Sequence, residues 1–256
     1  MRHAIVLAVG LAVLMVVSGA RADWDMNDPH KMHFPQLPDP FGWDVNFMNP
    51  KVLADDWTCS QTGLVTDLHF WLSARWDNEG LPFQIDNIHV SFHEDDRTSP
   101  DFSKPGKLIK EYDFGPDMFT LRNWHLSGEQ GWHDPNQELF VPNDHFMIWQ
   151  VNIDKIPQPF RQEKGKIYWV DLSVKASGDP GTVPPELGWK TTLENWEDAA
   201  VWGDIPAVGG PIVWRPLYDP TGKPLDLAFV VTPEPATLAL LGLGAVGLVA
   251  RRRRKK

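Results

Sequence analysis

The sequence predicts an all-β protein whose main domain is a β-sandwich, jelly-roll-like in its topology. The chain contains about ten short apolar segments, and 23 Pro and 20 Gly among its 256 residues supply the turns between them. Many short strands separated by frequent turn residues are typical of sandwiches. No stretch between Asp23 and Thr232 keeps an apolar period of 3.6 residues long enough for a long helix. Helical segments are therefore expected only at the two ends of the chain.

Alternation of apolar and polar side chains places the individual strands. In the segment that begins at Ile167, the side chains of Tyr168, Val170, Leu172 and Val174 fall on one face, which is predicted to be the core face. The clearest strand segments are Leu64–Leu72, Ile85–Phe92, Leu108–Phe114, Phe146–Ile153, Ile167–Val174 and Leu225–Val231. Weaker candidates are Phe119–Trp124, Trp189–Thr192, Ala199–Trp202 and Ile212–Trp214.

The N-terminus has the three-part pattern of a secretory signal peptide. A basic start precedes an apolar run over residues 4–17, and Ala20 and Ala22 form an A-x-A-like cleavage site. A membrane-spanning helix is the alternative, but a span needs roughly 20 apolar residues. Residues 1–22 are therefore predicted to be a signal peptide that is cleaved after Ala22, so the protein is expected to be exported.

Two regions are predicted between the signal peptide and residue 232. Residues 23–50 are rich in Pro, Asp, Asn, Met and aromatic residues without a strand or helix period, which indicates an irregular arm. Residues 51–232 are predicted to form the sandwich domain. Cys59 is the only cysteine, so no intrachain disulfide can form, and a buried thiol is favoured over an interchain bond. Core burial must therefore stabilise the fold.

The charge distribution excludes one class of function. The signal peptide and the tail hold eight of the 24 Lys and Arg but only one of the 34 Asp and Glu, so the remaining body carries a charge of about −17. Nucleic-acid binding needs basic patches, and such a surface repels the phosphate backbone. The acidic body suits a protein outside the inner membrane that is accompanied by cations.

The C-terminus has a second three-part pattern. Pro233, Glu234 and Pro235 are followed by an apolar run over residues 236–250 and a basic block over residues 251–256. This tail resembles the PEP-CTERM sorting signal, which implies recognition and cleavage by an exosortase-type membrane protease. The apolar run gives a helix of about 22 Å, which is shorter than the ~30 Å hydrocarbon core and favours a transient inner-membrane anchor. A plain tail-anchor helix after a Pro-rich linker is the alternative.

The body of the chain also resembles a known type of domain. The segments that carry the resemblance are Leu53–Cys59, Thr66–Trp71, Gly165–Trp169, Gly188–Thr191 and Asp226–Val230. They are similar to an uncharacterised β-sandwich domain that recurs in exported PEP-CTERM proteins, and the resemblance covers most of residues 41–231. It implies no activity and supplies no catalytic residues.

The 13 Trp residues have two interpretations. Trp57, Trp71, Trp149 and Trp169 lie in or beside apolar strand segments and are predicted to pack inside. The other group, which lies among polar and turn residues and offers stacking platforms for sugar rings, consists of Trp76, Trp124, Trp132 and Trp196. For any single one of these four, partial burial under a loop is the favoured interpretation.

Acidic clusters occur at Asp55–Asp56, Glu94–Asp96 and Glu197–Asp198. Oxygen-rich loops of this kind can hold calcium, so a structural calcium ion is one interpretation. None of the clusters matches the EF-hand loop pattern, and a solvent-exposed acidic face is the favoured interpretation. No cofactor is predicted.

Motifs of enzyme chemistry are missing from the sequence. His89 and His93 are four residues apart, but they lie in a predicted strand and do not form the helical H-E-x-x-H zinc motif. There is no G-x-S-x-G nucleophile elbow, no phosphate-binding loop, and no motif that supplies a partner for Cys59. No catalytic residue and no metal ligand is predicted, and the protein is not expected to be an enzyme.

These observations predict an exported, non-catalytic protein of the cell envelope or extracellular matrix that is sorted through its C-terminal signal. An exosortase-type protease is the expected partner, and the membrane is contacted through the tail before processing. A carbohydrate-binding module whose partner is a polysaccharide is the alternative, and a secreted hydrolase is the least favoured.

Overall fold

The structure is a computed structural model that describes residues 23–76, 83–178 and 185–232. Within these residues the chain forms 14 strands and two short 3-10 turns, Pro116–Met118 and Pro135–Gln137, which confirms the predicted all-β fold. The strands are β1 Trp43–Asn46, β2 Lys51–Thr58, β3 Gly63–Leu64, β4 Asp67–Ala74, β5 Phe83–Asp96, β6 Lys104–Phe114, β7 Thr120–Asp134, β8 Leu139–Ile153, β9 Arg161–Gln162, β10 Ile167–Gly178, β11 Leu187–Lys190, β12 Val201–Asp204, β13 Arg215–Pro216 and β14 Phe229–Thr232.

Two six-stranded sheets form the sandwich. The front sheet has the strand order β13-β12-β2-β10-β5-β6, and the back sheet has the order β11-β1-β7-β8-β4-β14. A small separate ladder joins β3 to β9. Apolar side chains of both sheets belong to one buried cluster, which is the core of the sandwich.

The central strand β10 shows how the sequence pattern produces the front sheet. It pairs antiparallel with β2 on one side and with β5 on the other. Its side chains alternate as predicted, because Tyr168, Val170, Leu172 and Val174 all join the main core. Full burial of an apolar side chain of this size contributes about 1.5–3 kcal/mol, so this alternation fixes which face of the strand points inward.

The outer face of the front sheet is partly covered as well. Trp169 points away from the main core and is buried in a second small cluster with Ala54 and Val201. Phe102 and Trp214 pack against this cluster from the connections that precede β6 and β13. Loops therefore shield a part of the front sheet that would otherwise expose a large indole ring.

The back sheet closes on itself. Strand β11 pairs with β1 and also with β4, while β4, β8, β7 and β1 pair in that order, so five strands complete a ring. Trp189 lies at the junction, opposite Val45 on one side and Leu72 on the other. The ring encloses polar side chains that the sequence pattern alone does not place together.

The predicted irregular arm is tied to both sheets. Its last part forms β1, which pairs parallel with β7. Earlier parts make isolated bridges between Met32 and Cys59 and between Gln36 and Phe229. The arm thus runs along β14 and covers its free side, because the main-chain N–H of Lys31 also donates to Val231 O at 2.8 Å.

Several strand predictions differ from the structure, and the first difference is β1, which forms in the arm that was predicted to be irregular. Strand β2 was not among the predicted strands, because Asp55 and Asp56 interrupt its apolar pattern, yet both carboxylates are buried in it. The segment Ile212–Trp214 was a weak strand candidate and forms no strand, and the ladder there involves Arg215 and Pro216 instead.

The predicted signal peptide with Ala20 and Ala22, and the predicted sorting motif Pro233–Pro235, lie outside the described residues. Within the described ranges, no helix has both the length and the apolar character needed to cross a membrane.

Candidate functional site

The end of the last strand lies directly before the predicted sorting motif. Strand β14 pairs with β4 so that Thr232 lies opposite Asp67. The Thr232 hydroxyl donates to Asp67 Oδ2 at 3.3 Å, and it lies 3.5 Å from His69 Nε2. All three residues are buried. The motif that begins at Pro233 therefore follows a fixed strand position without an intervening linker.

The start of the predicted mature chain reaches the same place. His69 Nδ1 donates to Asn152 Oδ1 at 2.7 Å, and Asn152 Nδ2 donates to Asp23 Oδ1 at 3.2 Å. Burial lowers the pKa of His69 to about 4 and raises the pKa of Asp67 to about 7, so the imidazole is neutral at pH 7. Asp23 and Thr232 are thus joined by a short chain of buried side chains, and the residues next to the two predicted processing points lie at one end of the back sheet.

Trp24 fixes the mature N-terminus further. Its carbonyl oxygen accepts hydrogen bonds from Arg122 at 2.7 Å and from the Gln150 amide at 2.8 Å. Its buried ring packs edge-on against Trp71, with ring centroids 6.0 Å apart. The residues that follow the predicted signal peptide are therefore part of the folded domain.

Trp76 is the most exposed of the four predicted stacking residues. Its side chain is 56% exposed, and the guanidinium carbon of Arg75 lies 4.2 Å from its ring centroid. The residue has a positive φ of 58°, which is rare for a bulky side chain. The Arg75 guanidinium covers part of the indole, and the rest of the ring stays exposed to solvent.

Trp124 and Trp196 are half-buried. Trp124 packs edge-on against Trp71 at 5.2 Å between ring centroids. Trp196 stacks on the His33 ring at 4.2 Å between centroids, and its indole N–H donates to Thr58 Oγ1 at 3.2 Å. The geometry leaves each of these rings with less free surface than Trp76, because another ring occupies part of it.

Trp132 corrects the expectation that it lies among exposed turn residues. It is a residue of β7, opposite Asp44 of β1, and its side chain has no solvent-exposed surface. Interior strand positions bury a side chain whatever the polarity of its sequence neighbours, so Trp132 offers no platform to a sugar ring. Of the four residues predicted inside, Trp57, Trp71 and Trp169 are fully buried and Trp149 is half-buried.

The acidic pair Asp55–Asp56 is not the solvated face that the sequence favoured. Asp55 Oδ2 accepts from the Gln36 amide at 3.1 Å and from the Leu227 main-chain N–H at 2.6 Å inside the fold. Burial raises the pKa of Asp55 well above its usual range, and the nearby charges of Asp226 and Asp56 raise it further. The interpretation was wrong because Asp55 serves as an internal hydrogen-bond acceptor for two chain segments.

Asp56 lies on the opposite face of β2 and is also buried. Neither of its carboxylate oxygens has a hydrogen-bond partner among the described residues. Asp226 Oδ1 also has no hydrogen-bond partner there. Burial raises the pKa of Asp56 well above its usual range, as does the charge of Asp226. The described part of the chain brings no three acidic, His or Cys side chains into an arrangement that would hold a metal ion. Calcium binding stays a prediction.

A second buried charge cluster lies in the ring of the back sheet. Lys190 Nζ donates to Asp44 Oδ2 at 2.8 Å, and His145 Nε2 lies 2.7 Å from the same oxygen. His145 Nδ1 lies 3.3 Å from Asp144 Oδ2. Lys190, Asp44 and His145 have no exposed surface. Burial lowers the pKa of His145, but the charge of Asp44 outweighs this and brings it to about 9.

An open cleft of about 520 Å³ lies beside the end of the front sheet. Aromatic surface from Phe160 and Tyr168 lines it, together with charged side chains that include Glu94, Arg161 and Glu163. The Glu163 main-chain N–H donates to the Tyr168 hydroxyl at 2.9 Å, which holds the β9–β10 turn against the strand. The mixture of aromatic and charged groups suits a hydrated polar ligand.

Sequence reasoning did not identify the Asp44 cluster or the chain of residues between Asp23 and Thr232. Lys190 lies in the predicted segment Trp189–Thr192, and its place in an apolar strand was the one available signal of a buried cation. The partners Asp44 and His145 come from strands far apart in the chain, so no local spacing could reveal them.

Comparisons with known protein families match two parts of the chain. Residues 231–254 match the family described as PEP-CTERM protein-sorting motif, which indicates export, sorting to the cell surface or envelope, and processing by an exosortase. Residues 32–232 match the family described as Domain of unknown function (DUF7901). No curated protein and no solved structure matches the chain. Because the second match covers most of the sequence, including β1 and all strands after it, the chain belongs to the DUF7901 family and ends with a PEP-CTERM sorting motif.

Proposed function

We propose that the protein is a non-catalytic component of the cell envelope or extracellular matrix, which residues 233–256 anchor to the inner membrane until an exosortase-type protease removes them. The observation that carries the proposal is the position of the sorting motif. It starts directly after Thr232, a buried residue of β14 that is bonded to Asp67. The domain and its tether are therefore continuous, and cleavage at the motif would separate an intact fold from the membrane.

The place of the N-terminus supports this picture. Asp23, the first residue after the predicted signal cleavage site, lies at the same end of the back sheet as Thr232. Whichever terminal segment is still in the membrane, the same end of the domain faces it. The opposite end then projects away from the membrane surface, where a matrix component would make its contacts.

The buried carboxyl groups whose pKa values are shifted support a non-catalytic role. Asp55 is enclosed in the fold and accepts hydrogen bonds from Gln36 and Leu227. Asp44 is enclosed in the back sheet with Lys190 and His145. Active sites use perturbed groups that a substrate can reach, and these groups could meet a substrate only after the fold opens.

Fractionation of the producing bacterium tests the sorting proposal. The full chain should be found in the envelope or outside the cell without its tail, whereas a variant with Pro233→Ala, Glu234→Ala and Pro235→Ala should stay in the inner membrane with its tail attached. A matched control is Pro206→Ala, in the exposed loop after β12, which should be processed normally. Equal processing of all three chains would contradict the proposal. Hydrolysis of a polysaccharide or ester by the purified protein would contradict the non-catalytic role.

Carbohydrate binding is a second candidate function, and the exposed ring of Trp76 favours it. The Arg75 guanidinium stacks on this ring, and 56% of the Trp76 side chain stays exposed as a platform for a sugar ring. A glycan array with calcium, and again with a chelator, should show saturable binding that Trp76→Ala abolishes and Trp202→Ala leaves intact. Trp202 is a suitable control because an Arg, Arg215, also stacks on its ring at 4.8 Å, on a different sheet. An array without signal would remove this candidate.

A further inference from the structure

Lys190 and Asp44 form an ion pair that is fully enclosed in the fold and lies on directly opposite strand positions. The two residues lie directly opposite each other on the antiparallel strands β11 and β1. Lys190 Nζ lies 2.8 Å from Asp44 Oδ2, and neither side chain has any exposed surface. We propose that the two side chains condense to an intramolecular amide, which links Lys190 Nζ to Asp44 Cγ and cross-links the ring of the back sheet.

The neighbouring main chain brings the two side chains together. The close approach requires Gly188, because a Cβ there would lie 2.7 Å from Asp44 Cβ and 2.9 Å from Trp132 Cζ3. Lys190 Nζ also donates to Gly42 O at 3.0 Å, which fixes the direction of the amine. Holding two reacting groups in contact replaces a bimolecular encounter by an intramolecular step, which is the main requirement for an amide to form without an activated acid.

His145 is placed to move the protons. Its Nε2 lies 2.7 Å from Asp44 Oδ2, the oxygen that would leave, and its Nδ1 faces Asp144 Oδ2 at 3.3 Å. With a pKa of about 9 the imidazole is protonated at neutral pH, so Nε2 can donate a proton to Asp44 Oδ2 and recover one from the lysine nitrogen through the same oxygen. Asp144 also accepts from Arg75 at 3.3 Å, which keeps this carboxylate in position behind the ring.

The step balances within the two side chains. The lysine ammonium carries three protons on Nζ and the carboxylate carries none. One proton moves to Asp44 Oδ2, and the neutral amine attacks Cγ with its lone pair. The C–N bond forms and the bond between Cγ and Oδ2 breaks. Oδ2 leaves as water with two of the three protons, and the amide N–H keeps the third. His145 ends in its starting state, and no oxidant or other reactant is needed.

Burial favours the product over the ion pair. Charges removed from water carry a desolvation cost that their mutual attraction only partly offsets, and condensation replaces both charges by a neutral amide. Burial raises the pKa of Asp44, but the charges of Lys190 and His145 outweigh this and bring the net pKa below its usual value. The ammonium and the carboxylate are thus the starting state, and transfer of a proton from Lys190 Nζ to Asp44 Oδ2 gives the neutral amine.

The amide would provide a covalent cross-link in a chain that cannot form an intrachain disulfide. The chain has one cysteine, so no intrachain disulfide can stabilise it after export. An amide between residues 146 positions apart would close a long loop of the unfolded chain, which is the condition under which a cross-link stabilises most. It would also join the two strands that complete the ring of the back sheet.

Peptide mapping of the full chain under denaturing conditions tests the proposal. Trypsin should fail to cut after Lys190, and the peptide that contains it should be joined to residues 32–51, which hold Asp44, with a mass lower than the sum by one water. A linear peptide that ends at Lys190 in the unsubstituted chain would overturn the proposal. This readout does not depend on the folding of any variant.

Three variants test which residues take part in forming the amide. Lys190→Arg should abolish the branched peptide, whereas Lys51→Arg should keep it, since Lys51 lies 3.5 Å from Asp134 and is partly exposed. In newly synthesised chains sampled over time, His145→Gln should accumulate the branched peptide at least tenfold more slowly than the unsubstituted chain. A branched peptide that persists in Lys190→Arg would show that another residue is linked, and an unchanged rate in His145→Gln would show that the imidazole is not the relay.

Discussion

The carboxylate of Asp55 accepts the main-chain N–H of Leu227 at 2.6 Å, across 172 positions of the chain. The same oxygen accepts from the Gln36 amide at 3.1 Å, so one acidic side chain links β2, the N-terminal arm and the segment before β14. An acceptor with two donors compensates part of the cost of burying its charge or its proton. The three chain segments should therefore unfold together.

The neighbouring Asp226 gives the first prediction, which concerns pH. Burial raises its pKa to about 7. A carboxyl whose pKa is raised on folding stabilises the protein below its unfolded pKa, and that contribution is lost as the pH rises from about 4 to about 7. Asp226→Asn removes the ionisation, and the amide oxygen can still accept from the Trp196 N–H. The variant should be more stable than the unsubstituted protein at pH 8 by about 1–3 kcal/mol, and about equally stable at pH 4.

Urea unfolding at both pH values measures this difference. Asp101→Asn is the matched control, because Asp101 is exposed in the loop before β6 and its substitution should change stability by less than about 0.5 kcal/mol at either pH. If Asp226→Asn and Asp101→Asn gave the same pH profile, the buried carboxyl would not be the source of the pH dependence.

The second prediction concerns the arm. The main-chain N–H groups of Lys31 and Gln36 donate to Val231 O and Phe229 O, so the arm occupies the open edge of β14. Removal of residues 23–36 would expose that edge, and unpaired edges associate with other chains. The shortened protein should form oligomers or aggregates, whereas the chain that starts at Asp23 should be monomeric. Size-exclusion chromatography with light scattering distinguishes the two, and identical monomeric profiles would contradict the assigned role of the arm.

The third prediction compares two tryptophans. The fully buried indole of Trp57 donates to Gln162 Oε1 at 3.0 Å. Trp57→Phe would leave a cavity and an unpaired buried amide oxygen, and should lower the free energy of unfolding by about 2–4 kcal/mol. Trp76→Phe makes the same change at an exposed ring and should cost less than about 1 kcal/mol. Denaturant unfolding of both variants is the measurement, and equal losses would contradict the burial assigned to Trp57.

The sequence predicted the parts of the fold that follow from local patterns. Alternation placed the inner face of β10 correctly, because burial on one face of a strand leaves a period of two in the sequence. It missed β2, because Asp55 and Asp56 resemble a turn until their partners from other strands are known. The closure of the back sheet through β11 was also beyond local patterns, since it depends on contacts between distant segments.

The candidate sites also separate into those that a local sequence pattern predicts and those that depend on contacts between distant segments. The C-terminal sorting motif could be predicted because it is linear, and the family match supports it, whereas the signal peptide stays a prediction. The exposure of a single tryptophan could not be predicted, because it depends on the segments that cover the ring. The burial of Trp132 in β7 is an example. The Asp44 cluster required three strands to come together, and its members lie in segments whose sequences give no common signal.

The last prediction concerns His69, whose side chain lies between Asn152, which bonds Asp23, and Thr232. Burial lowers its pKa to about 4, so the folded protein binds its proton more weakly than the unfolded chain does. Its contribution to stability is therefore present above the unfolded pKa and is lost as the pH falls from about 6.5 to about 4, by about 3 kcal/mol in total. The unsubstituted protein should lose this amount relative to His69→Gln over the same range, as measured by urea unfolding at pH 7 and pH 4.5. Parallel stability curves for the two proteins would show that the imidazole is protonated as easily in the fold as outside it. Because His69 lies 3.5 Å from Thr232, hydrogen exchange at β14 should increase on acidification in the unsubstituted protein alone.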